Sequence, residues 1–189
     1  MIYASKLMMQ MANTLNYVED DSLLFKRENE AWGASGGFAI NTTIENIRSG
    51  GNIGFTYCGT LPLVEGWLIR VIGNRIYLYR RADGNILWRH YSTSGAISTR
   101  IQGSTDVQPY VAATLYFPTE TTQTVTLSVD GSDTVTATGN WAGTTAQNAD
   151  VRLEKAPSST VMDLALIYNR VLTDAELEQN YQAFLSRHR

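Results

Sequence analysis

Asp163-Leu-Ala-Leu-Ile-Tyr-Asn-Arg-Val-Leu-Thr-Asp-Ala-Glu-Leu-Glu-Gln-Asn-Tyr-Gln-Ala-Phe-Leu185 decides the fold. It reads as a buried strand, a tight exit and a capped amphipathic helix. Thr173-Asp-Ala-Glu176 is a capping box, in which the Thr hydroxyl meets the N3 amide and the Glu carboxylate reaches back to the cap amide. Asp174 complements the positive pole of the helix dipole, and Arg187 and Arg189 the negative one. Leu177, Tyr181, Phe184 and Leu185 recur at i, i+4, i+7 and i+8, an apolar stripe that has to lie against a sandwich edge or a sheet face.

Everything before this ending reads as strands and turns. Glu65–Ile72, Arg75–Arg81 and Ile86–Tyr91 form a meander, with Gly73-Asn74 and Asp83-Gly84 supplying the positive-φ positions of tight hairpins. Thr124-Val-Thr-Leu-Ser-Val129 alternates strictly, and Asp130-Gly131 turns it back toward Thr134–Thr138. Phe38–Arg48, Ile53–Cys58, Tyr110–Phe117 and Asp150–Glu154 are further strands. Ser92–Val107 reads as a long Ser/Thr/Gly-rich loop holding at most one short strand. About twelve strands, no βαβ alternation and one terminal helix predict a two-sheet antiparallel sandwich. Residues 1–35 are assigned to an N-terminal arm or edge strands of the same domain, and residues 36–189 to the sandwich with its helix.

The totals agree. The 189 residues are 43% hydrophobic and 17% charged, with a net charge of -3. That supports a sizeable core and a neutral, hydroxyl-rich surface, and offers no footprint for nucleic acid. One cysteine, Cys58, excludes an internal disulfide, and two histidines with it do not make a structural zinc site. No run of eighteen apolar residues predicts a membrane span, and residues 1–11 lack the pattern of a signal peptide.

The ending resembles that of laminin-G-like jelly rolls in the concanavalin A-like lectin/glucanase superfamily. The matching positions are Asp163, Ile167, Tyr168, Asn169, Arg170, Leu172, Thr173, Asp174, Ala175, Glu176, Leu177, Asn180 and Tyr181. A second likeness is the pair Tyr110-Val-Ala-Ala-Thr-Leu115 and Leu127-Ser-Val-Asp-Gly131, with Tyr110 where the family has a His. The resemblance runs from about residue 36 to 185. It implies an all-β, two-sheet antiparallel jelly-roll sandwich with one short C-terminal α-helix, and is nearly silent on ligand.

Three functions follow as expectations. Stand-alone domains of this kind resemble bacteriophage virion proteins, in capsid decoration or tail and fibre. On that reading the chain is made in the host cytoplasm, works in the virion, and partners other virion proteins, copies of itself and host surface glycans, with no nucleic acid and no membrane. The Met-rich N-terminal arm then docks on a neighbour. The alternative is a stand-alone lectin module. The third is a degenerate glycoside hydrolase. The glucanase branch carries Glu-x-Asp-x-Glu on one strand face, and Glu19-Asp-Asp21 matches only its first spacing, at a turn. No enzyme is therefore expected.

Lectin-like binding needs aromatic platforms beside a few polar groups. The candidates are Trp141, in a polar loop, and Trp88, His90 and Tyr79 on the meander. Alternation places Tyr77 with Tyr79, and Trp88 with His90. No cofactor is expected; Asp20, Asp21 and Asp163 are the oxygen donors that a Ca²⁺ ion would use.

Overall fold

The computed structural model describes residues 15–31, 38–40, 54–63, 65–71, 76–92, 95–104, 106–119, 122–132, 134–140, 151–153 and 161–189. They form twelve strands and a closing helix. The strands are β1 (Leu23–Ala31), β2 (Phe38–Ile40), β3 (Gly54–Thr60), β4 (Gly66–Val71), β5 (Ile76–Arg80), β6 (Asn85–Ser92), β7 (Gly95–Gln102), β8 (Tyr110–Tyr116), β9 (Thr122–Val129), β10 (Val135–Asn140), β11 (Val151–Leu153) and β12 (Val161–Tyr168). The helix, α1, spans Asp174–His188. Sheet A has the order β1-β12-β3-β8-β9-β10 and sheet B the order β2-β11-β4-β5-β6-β7. Every ladder is antiparallel. The chain passes repeatedly between the sheets, giving the jelly-roll sandwich.

Period-2 alternation builds the main core. Phe55 and Tyr57 of β3, Val111, Ala113 and Leu115 of β8, and Val125, Leu127 and Val129 of β9 face Leu68, Leu78, Ile86 and Trp88 of sheet B. In β9 the other face is polar: Thr124 and Thr126 share hydroxyl hydrogen bonds with Thr138 and Thr136 of β10, at 3.0 and 3.1 Å.

A second core lies on the outer face of sheet A. Cys58, Tyr110, Ala112, Leu164, Leu166 and Tyr168 pack there beneath Ala183 and Phe184 of α1. β3, β8 and the end of β12 are thus buried on both faces, which is why their sequences read as nearly continuous apolar runs. Burying Phe184 alone contributes about 1.5–3 kcal/mol.

The helix therefore lies on a sheet face, and its buried line differs from the expected stripe. Asn180, Ala183 and Phe184 point inward, while Leu177, Tyr181 and Leu185 are half-buried flanks. Asn180 can occupy the centre because both ends of its amide are hydrogen-bonded.

The exit from β12 is held by Thr56 of β3. Its hydroxyl donates to Arg170 O at 2.8 Å and accepts from Leu172 N at 3.0 Å. The capping box forms as expected: Glu176 N donates to Thr173 Oγ1 at 3.3 Å, and Thr173 N to Glu176 Oε2 at 2.8 Å.

Two other expectations change. Ser92–Val107 holds a full eight-residue strand, β7, paired with β6 from Ser92↔Gly95 to Asn85↔Gln102. Ile97 and Ile101 alternate against the core, with Thr99 buried between them, so polar composition concealed a regular period. Of Phe38–Arg48, only β2 falls within the described residues. The edge-strand expectation for the N-terminal part holds for β1, which pairs with β12 from Leu23↔Tyr168 to Ala31↔Val161. Residues 1–14, which carry the methionines of the expected docking arm, lie outside the described residues.

Candidate functional site

Of the aromatic residues singled out in the sequence, Trp88 and Tyr79 fall on opposite faces of sheet B. Trp88 is fully buried, stacked on Phe55 at 6.3 Å between ring centroids, with its indole N–H donating to Thr114 O at 2.7 Å. It is a core residue with no surface for a ligand, so its assignment to binding is corrected. The alternation was right and the face was not, because a period of two does not say which side is interior. His90 pairs with Ile97 in the β6–β7 ladder; its side chain, and Trp141 entirely, lie outside the described residues.

Tyr79 faces the other way. It is half-buried on the outer face of sheet B, and its hydroxyl donates to Glu65 Oε1. That hydrogen bond to a carboxylate, followed by burial, raises its pKa. Leu87 is its neighbour across the β5–β6 ladder. Tyr77 shares the face: Arg89 lies 6.0 Å over its ring and donates to its hydroxyl at 3.2 Å. Tyr77 is itself buried, so on this face Tyr79 with its Glu65 carboxylate is the aromatic open to stacking and hydrogen-bonding a polar ring, with Arg89 nearby on the next strand.

The acidic turn has a structural use. Arg170 grips Glu176 with two bonds, at 2.8 and 2.6 Å, and reaches Asp20 Oδ2 at 2.6 Å and Ser22 Oγ at 2.9 Å. Asp20 Oδ1 accepts from the Ser22 amide and hydroxyl. Both Asp20 oxygens are therefore engaged in holding the turn and Arg170. Asp21 is exposed in the turn and Asp163 is half-buried in β12. Among the described residues no three His, Cys, Asp or Glu side chains gather into a metal-holding group. Glu19, the first carboxylate of the partial glucanase pattern, is paired with Lys26.

The same ending clasps the incoming chain. Asn180 Oδ1 accepts from Val18 N at 2.7 Å, Asn180 Nδ2 donates to the Tyr168 hydroxyl at 3.1 Å, and that hydroxyl donates to Val18 O at 2.9 Å. Tyr17 meets His188 Nε2 at 3.2 Å. Several positions that carry the family resemblance, Tyr168, Arg170, Glu176 and Asn180, thus have a shared purpose: they bind α1 and residues 17–22 onto sheet A. Cys58 sits beneath this clasp, fully buried, its thiol pushed up to about 11 by burial.

Sequence reading did not anticipate a cleft of about 190 Å³ between α1 and the β9–β10 turn. Tyr110 and Ala112 of β8 form its floor, Leu177 and Tyr181 one wall, and Gly131 and Ser132 the other. The turn is preset by Asp130 and Gly131, at φ 50° and 66°, closed by Ser132 N donating to Val129 O at 2.9 Å. A Cβ at Gly131 would sit 2.4 Å from Tyr181 Cε1, so glycine also lets the ring close on the turn. The only sequence signal for this wall was the Asp-Gly pair.

No family model and no curated protein matches the sequence. Among solved structures, the chain is similar to the binding domain of botulinum neurotoxin DC in complex with rat synaptotagmin II. The TM-score is 0.50 at 9% identity, covering 87% of this chain and 47% of that one. The same binding domain in complex with SialylT aligns with a TM-score of 0.49 and 8% identity, over 87% and 46% of the two chains. The chain thus spans about half the length of these neighbours. At such identity the likeness bears on the fold alone, a β-sandwich.

Proposed function

We propose that this chain is a non-catalytic, lectin-like recognition module, and that it serves as a structural component of a bacteriophage particle, in capsid decoration or in the tail or fibre, displaying its jelly roll toward host glycans. The observation that carries the reading is the contrast between the two outer faces. Sheet A is covered by α1 and residues 17–18. Sheet B turns outward the half-buried Tyr79 with Glu65, beside Arg89, which lies over the buried Tyr77. An aromatic ring flanked by an acceptor and a donor is how a protein holds a sugar ring. A toxin binding domain of similar architecture, seen in complex with rat synaptotagmin II, supports a recognition role. The resemblance of the closing segment to stand-alone phage domains supports the particle. A single, buried, unpaired cysteine suits assembly in a reducing cytoplasm.

Glycan-array binding of the purified chain tests the first half. Tyr79→Ala is expected to weaken the best hit at least about tenfold, the loss of one stacked aromatic contact, with the melting temperature kept. Unchanged binding refutes the assigned face. Quantitative mass spectrometry of banded particles tests the second half. A fixed, integral copy ratio to the major capsid protein is expected; absence from particles leaves the stand-alone lectin as the better reading.

A further inference from the structure

Around α1, arginines are held in a recurring way, against a carboxylate and usually an aromatic ring. Arg170 forks between Glu176 and Asp20. Arg187 lies 4.6 Å over the Tyr17 ring and pairs with Glu28 at 3.3 Å. Arg189 lies 5.3 Å over the Phe184 ring and pairs with Asp130 at 3.4 Å. A fourth set of the same components, on the same helix, has no cation among the described residues. Asp174 and Glu178 are exposed, one turn apart, and both line the cleft beside Tyr181 and Leu177. Among the described residues neither meets a Lys or Arg; Glu178 accepts only from the Gln182 amide, at 2.8 Å. Two like charges at i and i+4 repel, and the three neighbouring arginines are engaged elsewhere.

The dimensions narrow the occupant. A cleft of about 190 Å³ is smaller than the ~300–1,000 Å³ of small-molecule sites. It matches one long side chain. Its lining is mixed, with Tyr110, Ala112, Leu177 and Tyr181 joined by Ser128, Ser132 and Thr134, and its charged groups are both negative. We propose that this cleft is a docking socket for a single arginine side chain of a partner protein. The alkyl stem runs along Leu177 and Tyr181, and the guanidinium lies between Asp174 and Glu178. Arginine suits it better than lysine, because a planar fork bridges two carboxylates while stacking on a ring. The socket is independent of the glycan face, which belongs to the opposite sheet.

The test is an NMR titration with N-acetyl-arginine amide, compared with its neutral isostere N-acetyl-citrulline amide and with N-acetyl-lysine amide. The backbone amides of Gly131, Ser132, Leu177, Glu178 and Tyr181 are expected to shift saturably with the arginine probe, and at least about tenfold more weakly with citrulline. Asp174→Asn with Glu178→Gln leaves the Thr173–Glu176 capping box intact and is expected to reduce affinity about tenfold, as for two exposed ion pairs. Glu178→Gln alone, at an exposed helix position, is expected to give about threefold. Equal binding of citrulline, preference for lysine, no saturable shift, or equal shifts at Glu19, Glu28 and Asp83 overturns the proposal.

Discussion

Asn180→Ala should be among the most damaging single-atom-scale changes in the helix, although Asn180 is polar and the helix has apolar neighbours to spare. The substitution removes the acceptor of Val18 N–H and the donor to the Tyr168 hydroxyl. Val18 is only 8% exposed, so water does not replace the lost acceptor. An orphaned buried donor costs about 1–3 kcal/mol and a lost buried hydrogen bond about 1 kcal/mol, giving about 2–4 kcal/mol in total. Tyr168→Phe removes the hydroxyl that donates to Val18 O and accepts from Asn180, at about 1–3 kcal/mol. Because the three groups form one closed network, the double variant should fall short of the sum by about 1 kcal/mol. Urea unfolding followed by tryptophan fluorescence measures all four corners of the cycle. Amide exchange at Val18, expected to accelerate in each variant, localises the effect to the clasp. Additive losses within about 0.3–0.5 kcal/mol, with Val18 exchange unchanged, refute the reasoning.

Other outcomes follow from the same contacts. Gly131→Ala should cost about 1–2 kcal/mol for the left-handed backbone plus the displacement of the Tyr181 ring; Tyr181→Ala in the same background should remove only the second part, and thermal melts of the pair decide it. The Arg170 fork, aided by the capping box, holds Glu176 down to about 2 from an ordinary value of 4.5. The folded form therefore prefers the carboxylate, and its stabilisation is complete above pH 4.5 and lost as pH falls toward 2. The side chain is 27% exposed, so screening limits this to roughly 1–2 kcal/mol. Glu176→Gln should flatten that part of the pH–stability curve, and an unchanged slope counts against the fork. Cys58, fully buried with a raised pKa, should react with thiol reagents only at the rate of unfolding; rapid native labelling would show that α1 does not seal this face.

The architecture was legible where one local signal dominated. The capping box at Thr173, the Asp-Gly turn at 130–131 and the strict alternation of β9 each stand in the structure as read. The full length of β7 was not legible, because Ser, Thr and Gly crowd the stretch from 92 to 107 around it and only Ile97 and Ile101 betray its period. The face of a strand was the harder matter. Trp88 and Tyr79 both sit on alternating strands, and which one meets solvent depends on where the second sheet lies, a long-range fact. The cleft was illegible for the same reason: its lining comes from β8, the β9–β10 turn and α1, three places far apart in sequence. The closing segment shows a different limit. Its resemblance pointed correctly to the fold, but its polar residues, Arg170 and Asn180, read as generic until their partners at Asp20 and Val18 were in view.

The clasp has a geometric corollary. Gln179 Nε2 donates to Asn16 O at 2.9 Å, and Arg187 reaches Leu15 O at 3.4 Å and Asn16 Oδ1 at 2.9 Å. Where the path enters at residue 15 and where it leaves at Arg189 are therefore neighbours at one pole, on the helix-covered side. A tether, tag or fused domain added after Arg189, or joined directly to residue 15 in place of residues 1–14, would be rooted there, leaving the far sheet pointing away from its anchor. A permutant that bridges this short gap and opens the Asp83–Gly84 hairpin instead should fold to the same sandwich.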